Sequence, residues 1–181
     1  NLKSQLKNFF FLKNFKQIDF YGNTNFKNIS KYKKMILTWS YNHNFKRNGE
    51  YEDGYFKSVK NKSEILWVTV LVDQKLPLKI KKNIIVIHPK KGNLLQGINN
   101  TLSYLKKLLL SNELSFANFF HQFSYDSYLA NEIEKFFKKN NLLINIKKLL
   151  IPLESQPFQN TIIGIAKKMN IETIGYDQTG N

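Results

Sequence analysis

Short runs of β-branched and apolar residues alternate with amphipathic segments, and this alternation restricts the fold more than any other feature of the chain. Residues 65–72 contain a single polar side chain, Thr69, which is typical of a parallel strand covered on both faces. Strands are predicted at 35–40, 64–72, 83–88, 149–153 and 172–176. Helices are predicted at 97–110, 124–140 and 156–169. Alternating strands and helices predict an α/β, Rossmann-like three-layer domain with a mostly parallel sheet.

The remaining segments are assigned by weaker patterns. Apolar residues recur at rough helical spacing between residues 2 and 15, and residues 23–34 are mostly polar. We therefore predict an N-terminal helix and linker over 1–34, a Rossmann-like domain over 35–181, and a short helix at 55–60. The opening helix either docks on the domain or lies on a membrane surface.

Basic residues dominate the charge, with 28 Lys and Arg against 13 Asp and Glu, a formal net charge of +15. Arg47 is the only arginine, although bidentate recognition of bases and phosphates favours arginine. Nucleic acid is therefore the least favoured partner. A solvated surface that reflects lysine-rich composition is favoured, and peripheral contact with an anionic membrane stays open.

Several chemistries lack their usual residues. The chain has no cysteine, which excludes disulfides and thiolate metal sites. Its three histidines are far apart in sequence, and no phosphate-binding glycine motif or nucleophile elbow occurs. We expect no bound metal or cofactor, and no apolar run reaches the ~20 residues of a spanning helix.

Polar residues follow three of the predicted strands. Ligands of open α/β sheets bind beyond the carboxyl ends of the strands, so these loops are the candidate site. The first follows Ser40, the second follows residue 153 and the third follows Tyr176. The candidate ligand-binding residues in these loops are His43, Asn44, Asp53, Tyr55, Gln156, Asp177 and Gln178.

Glu154 is the candidate general base because a carboxylate at a strand end can accept a proton from a sugar hydroxyl. Glu154 or Ser155 could instead simply cap the following helix. In the same way, His43 is either a base or phosphate partner or a surface residue, and Asp53 is either a site residue or a turn residue. His88 and His121 are interpreted as structural.

Two motifs resemble those of bacterial surface-polysaccharide glycosyltransferases. Residues 154–160 (ESQPFQN), a helix and then residues 168–177 (KMNIETIGYD) are similar to the family pattern E-x-Q-P-[FW], helix, T-I-G-Y strand. The strand 37–40 with residues 48–56 (NGEYEDGYF) resembles an N-terminal D-G-x-[YF]-x-D-x-Y-F motif of the same group. The likeness spans residues 35–177.

This resemblance implies one half of a GT-B architecture, with the active site in a cleft between two Rossmann-like domains. The chain would be the N-terminal, acceptor-side domain, and the nucleotide-sugar donor would bind mainly to a C-terminal domain beyond residue 181. Glu154 matches the acidic position of the family, Gln156 shapes the loop beside it, and Asp53 and Tyr55 line the cleft. Gln178 stands where the family often has histidine, and glutamine cannot transfer a proton.

Two functions follow as expectations. The first is transfer of a sugar from a nucleotide sugar to a glycan or lipid-linked glycan acceptor, in the cytoplasm or at the inner face of the cytoplasmic membrane. The alternative is a non-catalytic α/β domain that binds a carbohydrate or glycolipid.

Overall fold

The computed structural model of the protein describes residues 16–22, 26–60, 62–73, 75–91, 125–153 and 159–176. These residues form six strands and two α-helices. In chain order the elements are β1 (Lys16–Gly22), β2 (Lys34–Ser40), β3 (Ile65–Leu71), β4 (Ile84–Lys91), α1 (Tyr125–Lys139), β5 (Lys148–Pro152), α2 (Gln159–Lys168) and β6 (Glu172–Tyr176). Short 3-10 turns occupy Phe26–Lys31, Asn42–Asn44 and Lys62–Glu64.

The six strands form one sheet in the order β1-β4-β3-β2-β5-β6. Strands β2 to β6 pair in parallel, and β1 is an antiparallel edge strand on β4. From β2 the chain winds outward through β3 and β4, and it then returns to the other side of β2 with β5 and β6. This reversal of winding is compatible with a Rossmann-like fold, and it confirms the predicted α/β class with a mostly parallel sheet.

One face of the sheet is covered by the helices, and we call it the helix face. Leu129, Ile133 and Phe137 of α1 and Ile162 and Ala166 of α2 are buried against it. The ring of Phe20 in β1 stacks on Phe136 of α1, with centroids 3.8 Å apart. Burial of this apolar stripe is what holds α1 in place, since a helix of this length gains most of its stability from packing.

The opposite face is covered by the two connections that lead from β2 to β3 and from β3 to β4, and we call it the crossover face. Its core contains Tyr51 and Phe56 from residues 41–64, packed on Trp67 of β3. The rings of Phe56 and Trp67 are arranged edge to face, with centroids 6.3 Å apart. Those of Tyr51 and Trp67 are arranged in the same way, with centroids 5.2 Å apart. In the described residues this cover contains 3-10 turns and loops but no α-helix.

Most predicted elements agree with the structure to within one or two residues. All seven residues of β3 are buried, as its unbroken apolar character predicted. Strand β6 has the predicted bounds, and α1 differs from its prediction by one residue at each end. The helices predicted at 97–110 and before residue 16 lie outside the described residues.

Some local predictions were wrong. Residues 55–60 form turns rather than a helix. The Asp53 carboxylate accepts hydrogen bonds from the Tyr55 and Phe56 N–H groups, as the N-cap of a helix does, but the Phe56 side chain is buried against Trp67 and Tyr176 and the chain continues as turns. Strand β1 was not predicted. The polar stretch 23–34, interpreted as a linker, includes a 3-10 turn that buries Ile29 and Tyr32 against the helix face.

Strand β4 was expected to end at Pro89 but continues to Lys91. Ile87 is the last residue of β4 that pairs with β3, whereas Pro89 pairs with Ile18 of β1. The missing N–H of proline therefore falls beyond the ladder with β3, so that ladder loses no hydrogen bond. Separately, no helix in the described residues is long and apolar enough to cross a membrane.

We predict that Phe56→Ala lowers the free energy of unfolding by about 3–5 kcal/mol, because Phe56 is fully buried and the described cover of the crossover face contains no α-helix that could close the cavity. Urea denaturation followed by circular dichroism measures this. Leu78→Ala is the matched control, since Leu78 is 93% exposed and should change stability by less than about 0.5 kcal/mol. Equal effects of the two substitutions would show that residues 41–64 are not part of the core.

Candidate functional site

The parallel strands bring their carboxyl ends to one side of the sheet. We call this side the carboxyl edge and define it by the end residues Ser40, Leu71, Pro152 and Tyr176. The backbone hydrogen bonds continue just past the strands: Val72 N–H donates to Ser40 O at 2.9 Å, and Leu153 N–H donates to Tyr176 O at 2.7 Å. The loops singled out from the sequence therefore all begin at the same edge.

The segment after β2 also reaches across this edge to β6. The ring of Phe56 lies against that of Tyr176, with centroids 5.0 Å apart and planes tilted by 43°. Phe56 adjoins the candidate residue Tyr55, and Tyr176 is the last described residue before the candidate Asp177. The contact thus joins the first predicted loop to the end of strand β6, which precedes the third.

Asp53 is buried at 1% exposure and acts as the anchor of this segment. Its carboxylate accepts a hydrogen bond from the Tyr51 hydroxyl at 2.5 Å, and others from the N–H groups of Tyr55 at 2.7 Å and Phe56 at 3.2 Å. The Tyr51 hydroxyl also lies 3.3 Å from the carbonyl oxygen of Trp39 in β2. These contacts tie the segment to the sheet, and they direct the Asp53 carboxylate inward rather than toward solvent.

The other described candidates differ in exposure. His43 is exposed, and its ring stacks on that of Tyr41 with centroids 5.4 Å apart and planes within 8°. The Asn44 side chain is engaged locally: its Oδ1 accepts from Tyr41 N–H at 2.7 Å and its amide donates to Glu52 O at 2.9 Å. Tyr55 is half-buried against the core of the crossover face. Of these candidates, His43 has the most accessible side chain.

Four predicted residues, Glu154, Gln156, Asp177 and Gln178, lie outside the described residues. Their described neighbours are Leu153, which follows β5 at the carboxyl edge, and Tyr176, which ends β6. Convergence of Glu154 and Asp177 with the segment after β2 therefore stays a prediction.

The structure adds three polar residues at the carboxyl edge that the sequence did not single out. Ser40 is fully buried, and neither its Oγ nor the buried Oδ1 of Asn42 has a hydrogen-bond partner in the described part of the chain. The backbone N–H of Asn42 donates to a carboxylate oxygen of Asp73, which follows β3. The rule that marked the loop after Ser40, that polar residues follow a strand end, would also have marked Asp73.

A groove of about 310 Å³ lies at the opposite side of the sheet, where β3 and β4 begin. Trp67, Tyr51 and Ile84 contribute its apolar lining, and none of the predicted site residues lines it. Ion pairs Lys46–Glu52 (3.0 Å) and Lys81–Glu50 (2.7 Å) lie along it. Hydrogen bonds from these lysines lower the pKa of Glu52 and of Glu50, and Glu52 raises the pKa of Lys46.

Titration of Tyr51 is set by its surroundings. Burial raises the pKa of its phenol well above the ordinary value, and the Asp53 carboxylate adds to the increase. Among the described residues, no three His, Asp or Glu side chains are grouped closely enough to hold a metal ion.

We predict that Asp53→Ala lowers the free energy of unfolding by about 3 kcal/mol, because buried donors lose their acceptor. Asp53→Asn keeps an acceptor oxygen and should cost about 1 kcal/mol. Glu52→Ala, one residue away, removes only an exposed ion pair and should lower stability much less than Asp53→Ala does. Urea denaturation compares the three. If Asp53→Ala were as stable as Glu52→Ala, Asp53 would not be the anchor.

We also predict that stability falls as the pH rises above about 10, where an unshifted tyrosine ionises. The unfolded chain releases the Tyr51 proton at a lower pH than the native state does, so the native state binds more protons than the unfolded chain. The free energy of unfolding therefore falls with rising pH, by up to about 1.4 kcal/mol per pH unit. Unfolding curves between pH 8 and 11.5 measure this. Tyr51→Phe should have a shallower slope than the parent protein, and the exposed-site control Tyr41→Phe should not. Equal slopes for Tyr51→Phe and the parent would contradict the prediction.

Comparison of the chain with protein-family models, with curated proteins and with solved structures gave no match. What the site does is therefore argued from its geometry and from the motifs of the sequence.

Proposed function

We propose that the chain is the N-terminal, acceptor-side domain of a GT-B glycosyltransferase that transfers a sugar from a nucleotide sugar to a surface-glycan acceptor. The observation that carries the proposal is the reversal of winding between β2 and β5. In open α/β sheets such a reversal leaves a crevice at the carboxyl edge, where ligands bind. The strand of the first motif, residues 37–40, ends at this edge, and the second motif begins in the sequence directly after Leu153, which lies at the same edge.

The positions of the motifs support the proposal from both sides of the reversal. Residues 48–56 belong to the segment that follows β2, whereas Glu154 directly follows Leu153 after β5. Strands β2 and β5 are neighbours, paired in parallel from Lys34 and Lys148 onward. Ser40, which ends the strand of the first motif, and Leu153, which precedes Glu154, are more than 90 residues apart in sequence and thus lie at neighbouring strand ends. Glu50, Tyr51 and Glu52 of the first motif instead line the groove at the opposite side of the sheet.

In the proposed reaction an acceptor hydroxyl attacks the anomeric carbon of the donor sugar. A C–O bond forms to the acceptor, and the bond between the anomeric carbon and the nucleoside diphosphate breaks, so the diphosphate leaves with the bonding electron pair. Glu154 accepts the proton of the acceptor hydroxyl as general base. The acceptor binds at the carboxyl edge of this chain, and the nucleotide is held mainly by the second domain.

We predict that Glu154→Gln lowers turnover by about 100-fold or more, since glutamine is similar in shape but cannot accept the proton. The test uses the protein encoded by the complete reading frame, a panel of nucleotide sugars with lipid-linked glycan acceptors, and release of nucleoside diphosphate as readout. Thermal unfolding should be unchanged. The matched control Glu172→Gln removes an exposed carboxylate that pairs with Lys148 and should retain full turnover.

The outcomes separate the candidate functions. Unchanged turnover in Glu154→Gln would show that Glu154 is a helix cap rather than the base. Glycan binding without transfer for every donor tested would instead support the non-catalytic carbohydrate- or glycolipid-binding domain.

A further inference from the structure

Two aromatic rings lie exposed at the carboxyl edge just after β2. Tyr41 is 46% exposed. The planes of the Tyr41 and His43 rings are nearly parallel, and the ring centroids are 5.4 Å apart. The backbone between them is fixed: Asn44 Oδ1 accepts from the Tyr41 N–H, and Asn44 N–H donates to Tyr41 O at 3.0 Å. This stacked pair is an exposed aromatic surface, whereas Tyr51 and Phe56 of the same loop are buried.

Polar groups without complete hydrogen bonding lie beside these rings. Asn42, between them, has a buried Oδ1 with no partner in the described residues, and the same holds for Ser40 Oγ. Asp73 uses one carboxylate oxygen to accept the Asn42 backbone N–H, and no hydrogen bond to its other oxygen is found within the described ranges. Buried acceptors without a partner, such as Asn42 Oδ1 and Ser40 Oγ, are uncommon in folded proteins.

We propose that Tyr41, His43, Asn42 and Asp73 form a subsite for one neutral pyranose ring. A pyranose has an apolar C–H face, which suits the electron-rich face of an aromatic ring, and a rim of hydroxyl donors. The hydroxyls donate to Asp73 and, after rotation of the half-exposed side chain, to Asn42 Oδ1. The choice of a sugar as ligand rests on the proposed function, and the subsite would hold one residue of the acceptor glycan.

The charges of the subsite favour a neutral sugar over a nucleotide. The described groups that contact the Asn42 turn include the Asp73 carboxylate, which repels a phosphate but accepts hydrogen bonds from hydroxyls. Among the described residues, neither the Tyr41 ring nor the His43 ring has a cation–π contact with a lysine. A nucleobase could also stack on these rings, so nucleosides are included in the test as competitors.

The experiment measures binding of methyl pyranosides of glucose, galactose, rhamnose and N-acetylglucosamine by saturation-transfer NMR, with the chain as it stands. At least one should receive saturation on its C–H face and shift the His43 ring resonances. Tyr41→Ala should weaken that binding about tenfold, whereas Tyr41→Phe keeps the stacking face and should bind within about twofold of the parent. Both changes are at an exposed position, and circular dichroism checks that the fold is retained.

A second variant tests the polar side of the subsite. Asp73→Asn keeps an oxygen that can accept the Asn42 N–H but removes the charge and replaces an acceptor with a donor. It should weaken pyranoside binding about fivefold, since a hydrogen bond to a charged group is lost. The exposed carboxylate variant Glu172→Gln is the control and should bind as the parent does.

The proposal is overturned if no pyranoside binds, if Tyr41→Ala binds as well as the parent, or if nucleosides bind to these rings and pyranosides do not. These outcomes are distinguishable from failure of the proposed function. Pyranoside binding that depends on Tyr41, together with absence of sugar transfer in the complete protein, would support the subsite and overturn the transferase.

Discussion

The structure depends on covering both faces of the central strand pair β2–β3, whose residues are almost all buried. On the helix face, α1 and α2 provide this cover in the usual way for a parallel sheet. On the crossover face the cover contains no α-helix among the described residues, so Tyr51 and Phe56 must be held over Trp67 by other means. The Asp53 carboxylate supplies them. It accepts three hydrogen bonds at 1% exposure, which offsets the cost of burying it.

This arrangement couples stability to the candidate site. Residues 41–64 cover the core and also carry His43, Asn44, Asp53 and Tyr55, and Phe56 reaches the end of β6. A substitution in this segment can therefore alter ligand binding by displacing the loop, without touching the ligand. Asp53 is therefore a positioning residue, which holds the segment in place. The site itself is better tested at exposed side chains such as Tyr41.

The sequence predicted the elements that are specified by local pattern and missed those specified by tertiary contacts. Strands β2, β3 and β6 and helix α1 have strong apolar periodicity, and their positions were correct. Residues 55–60 were expected to form a short helix, but Phe56 in this segment is held by tertiary contacts with Trp67 and Tyr176. Strand β1 is stabilised by pairing with β4 and by the contact of Phe20 with α1, and neither is visible in its own residues. Likewise, the unpartnered atoms of Ser40 and Asn42 depend on how β2 and β3 end, which no sequence pattern encodes.

Two polar regions of the described residues, the groove where β3 and β4 begin and the carboxyl edge, differ in what a ligand would have to displace. At the amino side of β3 and β4, Glu50 and Glu52 already pair with Lys81 and Lys46, so a charged ligand would have to compete with protein ion pairs. At the carboxyl edge, Asn42 Oδ1 has no partner in the described residues, so a hydroxyl that reaches it after rotation of the side chain would add a hydrogen bond without breaking a protein ion pair. Ser40 Oγ is fully buried and does not contribute. The unused hydrogen-bonding capacity of Asn42 therefore favours the same edge as the winding of the sheet.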